Sequence, residues 1–239
     1  MKIPLIALLA ISTASALCAA NWNTPQLAIY YSFDTSPPAV LVTEMQTELS
    51  QILSDSGLRV TWRALESPRD GSEDFRAIAV VRFHGTCSFS QNAGDNEREP
   101  DPAGKPLAET ELVEGRVLPF GGVDCNTLRR FIAPKLNAED AGRKDADLGR
   151  AIARVTAHEI YHMLSGSELH AKSGIARSSH SSAELTAPTF TFAQTETNWL
   201  RAWALNGMGQ PMGAAEARTE SAREPDSLIL ESSDSVSGR

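Results

Sequence analysis

The sequence predicts an α+β protein: a twisted mixed sheet packed on one long helix, with a small helical part towards the C-terminus. Three observations lead there. β-forming runs and one amphipathic stretch alternate near the start of the chain in the order strand, helix, strand, strand. A later segment, Asp145 to Ser165, is apolar around most of a helical circumference, which marks a helix buried at the centre of a fold. The composition, 41% hydrophobic with 16 Gly and 13 Pro in 239 residues, supplies apolar material for a core and excludes collagen-like, coiled-coil and wholly disordered chains.

In chain order, residues 1–20 read as a secretory signal. Lys2 gives a short positive start, and Ile3 to Leu17 is apolar apart from Pro4, Ser12, Thr13 and Ser15. That run falls short of the roughly 20 residues a membrane span needs. Cys18, Ala19 and Ala20 offer the small residues of a cleavage site, while Leu17 before Cys18 argues against a lipid-anchored cysteine. The mature chain is therefore expected to be secreted or periplasmic, with no membrane span. Export places the cysteines in an oxidising compartment. Cys87 and Cys125 remain as a pair and are expected to form one structural disulfide. Closing a loop of about 40 residues contributes roughly 3–4 kcal/mol in loop-entropy terms. No CxxC spacing supports a thiolate metal site.

Leu27 to Phe33 reads as a strand. Ser36, Pro37 and Pro38 form a helix entrance with Pro in the first turn, Leu41, Met45, Leu49 and Ile52 recur at helical spacing, and Gly57 stands at the C-terminal cap. Leu58 to Leu65 alternates as a second strand. Arg76 to Phe83 is nearly continuous in apolar residues, the pattern of a central strand buried on both faces. Ser88 to Pro106 is polar and turn-rich, an exposed loop. Gly115 to Phe120 reads as a short strand whose Pro119 suits an edge, and Leu128 to Leu136 as a helical turn or two interrupted by Pro134. Then comes the long helix, with Arg150, Arg154 and Tyr161 as a polar wedge. One folded domain is expected over 21–212 and a polar, disordered tail over 213–239, broken by an apolar island at Leu228 to Leu230.

Charge narrows the functions. The net charge is −8, from 22 Lys+Arg against 30 Asp+Glu, and phosphate-neutralising proteins are usually basic, so nucleic acid is not an expected partner. The chemistry lies on the long helix, where His158-Glu159-Ile160-Tyr161-His162 matches HExxH. Residues four apart share one side of a helix, so both imidazoles can reach one ion. Zinc accepts neutral imidazole nitrogen at about 2.0–2.1 Å. Glu159, about 100° round the helix, sits beside the metal without ligating it. There it can take a proton from a zinc-bound water of lowered pKa and later protonate a leaving amine. Two histidines and a glutamate on an apolar buried helix would be costly without such partners. A catalytic zinc takes three protein ligands and keeps one position open. His170, His180 and Glu184 are the candidates for the third. His170 is favoured because Gly166 can end the helix and turn the chain back; Glu184 would come from a second helix; His180, in a Ser-rich stretch, is expected to face solvent. His84, ending a strand, is expected to be structural or on the surface.

The segment HEIYHMLSGSELH resembles the zinc-binding segment of the metzincin metallopeptidases, HExxHxxGxxH, and the chain order resembles their upper subdomain. Within that group it looks like secreted bacterial HExxH proteins with a lengthened spacing to the third His, followed by Gly-Ile-Met. The resemblance covers about Leu27 to Trp203. It implies a metzincin-like catalytic domain over 21–212, with His158, His162 and His170 as ligands of one Zn²⁺, Glu159 as general base and Gly166 as the turn glycine. Two departures stand out. The last spacing is two residues longer than the signature, and Gly174-Ile175-Ala176 puts Ala where those proteins have the Met that packs beneath the zinc. Met208 and Met212 are candidates to replace it. The resemblance also implies that an edge strand pairs with an extended substrate, for which Val113 to Leu118 is the candidate.

The function expected is thus that of a secreted zinc metalloendopeptidase acting on a peptide or protein substrate, as a monomer. A non-catalytic zinc-containing or peptide-binding module on the same scaffold is the alternative. Retention of Glu159 favours the enzyme, since a structural site needs no base.

Overall fold

The computed structural model describes residues 26–67, 74–90, 105–136 and 140–206. The expected signal (1–20), the expected tail (213–239) with its apolar island, and both Met208 and Met212 lie outside the described residues. The elements in order are β1 (Gln26–Phe33), α1 (Ala39–Ser54), β2 (Arg59–Ala64), β3 (Ala77–His84), β4 (Ala108–Val113), β5 (Arg116–Asp124), α2 (Cys125–Ile132), α3 (Ala141–Ser165), α4 (Ser182–Thr186) and α5 (Gln194–Asn206). The strands form one five-stranded mixed sheet in the order β2-β1-β3-β5-β4. β1 runs parallel to β2 and β3, β3 runs parallel to β5, and β4 alone is antiparallel.

The apolar spacing of α1 buries Leu41, Met45, Leu49, Ile52 and Leu53. Pro38 is the N-cap rather than part of the first turn. Past the helix, Gly57 adopts φ 74°, with Leu58 N–H donating to the Leu53 carbonyl and Gly57 N–H to the Ser54 carbonyl. That left-handed closure strains any residue with a Cβ, which is why glycine stands there.

Three expectations need correction. β3 is central, but it is not buried on both faces. Ala79, Val81 and Phe83 are buried, whereas Ile78, Arg82 and His84 are exposed. Its apolar run includes residues of the open face, so hydrophobicity alone overstates its cover. Second, the edge strand is β4, and Val113 to Leu118 instead straddles a hairpin turn. Glu114 and Gly115 both have positive φ, 52° and 73°, the pattern of a two-residue type I′ turn between β4 and β5. β5 is therefore an inner strand, and Pro119 is tolerated because it falls in a bulge. The register jumps from Thr110↔Gly121 to Leu112↔Val117, and pairing with β3 starts only at Phe120. Third, the 88–106 segment is not exposed throughout. Ser88 is wholly buried, and Asp145 on α3 accepts hydrogen bonds from Phe89 N–H and the Ser90 hydroxyl. Beside that anchor Cys87 and Cys125 are disulfide-bonded, 38 residues apart in sequence. Residues 91–104 lie outside the described residues.

α3 begins four residues earlier than its apolar pattern indicates, because Asp140 caps it by accepting from Arg143 N–H at 2.8 Å. It packs against α1 so closely that a Cβ on Gly149 would clash with the Leu41 carbonyl. Of the expected polar wedge, Arg154 (0% exposed) and Tyr161 (2%) are buried, while Arg150 is half-buried and pairs with Asp147. Arg154 is accommodated because its Nε donates to Glu48 Oε1 on α1 at 2.7 Å and its Nη1 to the Glu184 carbonyl at 2.8 Å. Among the described residues no helix is long and apolar enough to cross a membrane.

Candidate metal centre

The last turns of α3 carry His158, Glu159 and His162. Gly166, at φ 60°, ends the helix in the left-handed conformation and reverses the chain. The following segment returns twice to the histidines. The Ser167 carbonyl accepts from His162 Nδ1 and the Ile175 carbonyl from His158 Nδ1, each at 2.7 Å. A short loop pins the second contact. Ala171 N–H donates to the Ala176 carbonyl, Ile175 N–H donates to the Thr191 carbonyl, and Ile175 and Ala176 are wholly buried. Gly174 crosses Phe192 at φ 69°, where a Cβ would meet the Thr191 and Ala193 backbone. The Ala176 position is thus a fully buried part of this loop, and the loop holds His158 through the neighbouring Ile175 carbonyl.

These bonds decide the tautomers. A carbonyl can only accept, so each Nδ1 carries the proton and each Nε2 presents a bare lone pair. The two Nε2 atoms face each other at 3.0 Å. With no proton between them that approach is repulsive, and a cation relieves it. Two nitrogens on one tetrahedral zinc would lie roughly 3.3 Å apart, given Zn–N near 2.0–2.1 Å. Burial, the largest influence on both rings, pushes the His158 pKa down to about 4 and holds His162 below the ordinary histidine range. Both are neutral and able to ligate at pH 7.

His170 joins them. Its ring lies 5.2 Å from that of His158 and 4.8 Å from that of His162, and one ligand atom from each of the three residues lies within 4.8 Å of the others. Glu184 does not join. It closes a capping box with Ser181 at the start of α4, and both its carboxylate oxygens accept from Arg177 Nη2 at 2.8–2.9 Å. The Ser181 backbone bond, more than any other influence, holds that carboxyl below its ordinary range. His84 is remote, exposed on the open sheet face beside Asp34 at 3.4 Å.

No protein-family model and no curated protein matches this chain. Among solved structures it is similar to an archaemetzincin from Methanopyrus kandleri. That protein is 12% identical, with a TM-score of 0.43 over 77% of this chain and 97% of the other.

Glu159 is 6% exposed. Burial pushes its carboxyl up to about 7, Glu109 adds to this, and a hydrogen bond from the Thr110 hydroxyl to Oε2 opposes it. Thr110 escapes sequence reasoning, because it lies on β4, which the sequence pattern hides within a polar stretch. His180 corrects an expectation. It does not face solvent but borders a cavity of about 690 Å³ together with His158, Glu159, His162 and His170. Its ring stands edge-on to that of His158 at 5.6 Å. Both of its ring nitrogens are buried, and burial, above all else, keeps this imidazole below the ordinary range, with the Ile175 backbone opposing. The cavity lining also includes the apolar Leu107, Leu112, Val117, Phe131 and Val155.

Proposed function

We propose that this chain is a secreted zinc metalloendopeptidase in which His158, His162 and His170 hold the metal and Glu159 is the general base. The observation that carries this reading is the pair of opposed Nε2 lone pairs with both Nδ1 atoms committed to carbonyls, beside a buried carboxyl. Donors of this type and number suit zinc, and a three-histidine set leaves one position open. The chemistry zinc supplies when bound is Lewis acidity towards water and a carbonyl.

The chain's own residues supply the rest. The Thr110 hydroxyl holds Oε2 of Glu159, which leaves Oε1 to take a proton from water and hand it to the departing amine. A carboxyl with a pKa near neutrality serves both steps. β4 has an open edge, beside which an extended peptide can pair backbone to backbone. The apolar lining residues favour an apolar substrate side chain. Secretion is part of the reading, supported by the signal-like first 20 residues and the bonded cysteine pair. The test is zinc stoichiometry together with cleavage of a mixed peptide library, with and without chelator. One zinc per chain and chelator-sensitive cleavage are expected. Zinc without cleavage of any peptide would make the chain a non-catalytic module.

A further inference from the structure

The helices cover one face of the sheet. Leu27, Ile29, Val81 and Phe83 join the core there with residues of α1 and α3. The alternate residues form the other face, where strand pairing sets Tyr30 beside Val80 and Val80 beside Phe120, with Ile78 one step back along β3. Ile78 is 49% exposed and Phe120 41%. Scattered apolar residues are ordinary on a surface, but these adjoin across three strands. The charged or titratable residues of this face on β1, β2 and β3 are Arg59, Arg63, Arg82 and His84, and no acid stands among them. In a chain of net charge −8 that is a local reversal of sign.

The chain's own C-terminal stretch starts close by. Arg76, one residue ahead of β3, donates from Nη2 to the Leu205 carbonyl at 3.3 Å, so α5 ends where β3 begins. The linker 207–227 can reach about 70 Å when extended, whereas β3 covers about 26 Å. Over 21–25, 68–73, 91–104, 137–139 and 207–239, consecutive large apolar residues occur only at Leu228-Ile229-Leu230. Glu224 and Asp226 precede that triplet, Glu231 and Asp234 follow it, and 224–234 contains no Lys or Arg. We propose that residues 224–234 dock on the open sheet face, with Leu228 and Leu230 against Ile78, Val80 and Phe120 and the acids towards the arginines. Leu228 and Leu230, two apart, share one side of an extended segment. Apolar burial supplies the attraction, opposite charge sets the placement, and the tether keeps the segment at high local concentration.

The test is amide hydrogen exchange on the full mature chain. The amides of 228–230 should exchange at least about tenfold more slowly than in the same segment as a free peptide. Ile78→Asp and Arg82→Glu, both at exposed positions, should each reduce that protection at least about threefold. Unprotected amides overturn the proposal. Protection that either variant leaves intact also overturns it, since the segment is then seated elsewhere or held without the arginine. Protection that grows with protein concentration, together with a dimer in sedimentation, overturns it by giving the face to a second copy. Protection that needs phosphatidylglycerol vesicles overturns it in favour of an anionic membrane. Should the face variants not fold, Leu228→Ser combined with Leu230→Ser decides, because both changes are confined to the tail. Relaxation of the Ile78 δ1 methyl by a soluble paramagnetic probe should then rise at least about twofold over the parent, and an unchanged rate overturns the proposal.

Discussion

Replacing Glu159 by Gln isolates a carboxyl on α3 whose ionisation burial opposes. The carboxyl titrates at about 7 in the fold against an ordinary 4.5, chiefly through burial. Between those values the folded chain keeps a proton that the unfolded chain has released. Stability therefore falls as pH rises, by about 1.4 kcal/mol per unit, and the fall ends once the folded carboxyl has ionised too. The whole window amounts to about 3 kcal/mol. The amide of Glu159→Gln would keep the shape and still accept from the Thr110 hydroxyl, but it carries no charge. In metal-free protein the stability difference should thus shift by about 3 kcal/mol in favour of the variant between pH 4.5 and pH 8. His158, held near 4, loses stability in the opposite direction as pH falls below 6.5, but it is common to both chains and cancels. Urea unfolding of both proteins at several pH values, with chelator present, measures the difference. Adding zinc should flatten it, because a neighbouring dication favours the carboxylate. A difference that does not change with pH would refute the reasoning.

Three further outcomes are expected. His170→Ala should weaken zinc binding at least tenfold at pH 7.5, measured by chelator competition, whereas His84→Ala should leave it unchanged, since that ring is exposed on the open sheet face. Arg154→Met should destabilise the protein by about 3–5 kcal/mol, because it strands Glu48 against a buried helix pair; pairing it with Glu48→Leu should recover most of the loss, and denaturant midpoints report both. Replacing both Cys87 and Cys125 by Ala should lower stability by about 4 kcal/mol through the loop they close, with zinc stoichiometry retained.

Much of the fold was legible because its periodicities are clean. α1 and α3 each repeat apolar residues at helical spacing, and β1 and β2 are short β-rich runs between turn residues. The β4–β5 hairpin was legible only in part: Gly115 to Phe120 reads as a strand and overlaps β5, whereas β4 and the second half of β5 do not stand out. Glu109 and Glu111 give β4 the composition of a loop, and Gly121 and Gly122 give the second half of β5 the composition of a breaker. Each makes sense only in three dimensions. β4 is an edge strand and tolerates charge on its open side. Gly121 is required because a Cβ there would sit 2.7 Å from Met163 Cε and 2.8 Å from the Glu109 carbonyl oxygen. Such constraints come from neighbours distant in sequence, and no local pattern encodes them.

The candidate site divides along the same line. His158, Glu159 and His162 were readable because one helix sets their spacing. His170 could be favoured because a single glycine turn separates it from that helix. Thr110 and His180 were invisible or misplaced, for opposite reasons. Thr110 belongs to an unrecognised strand, and only the sheet order β3-β5-β4 brings it over Glu159. His180 lies in ARSSHSSAEL, whose serines suggest a solvated loop. Those polar residues are instead used locally: Ser181 caps α4, the Ser179 carbonyl takes the Arg177 guanidinium, and Glu184 closes the box. With its hydrogen-bonding neighbours turned on one another, the stretch leaves His180 alone facing inward. A polar composition therefore marked a stretch whose hydrogen bonds close on one another, which is why its serines gave no measure of how far the imidazole between them is buried.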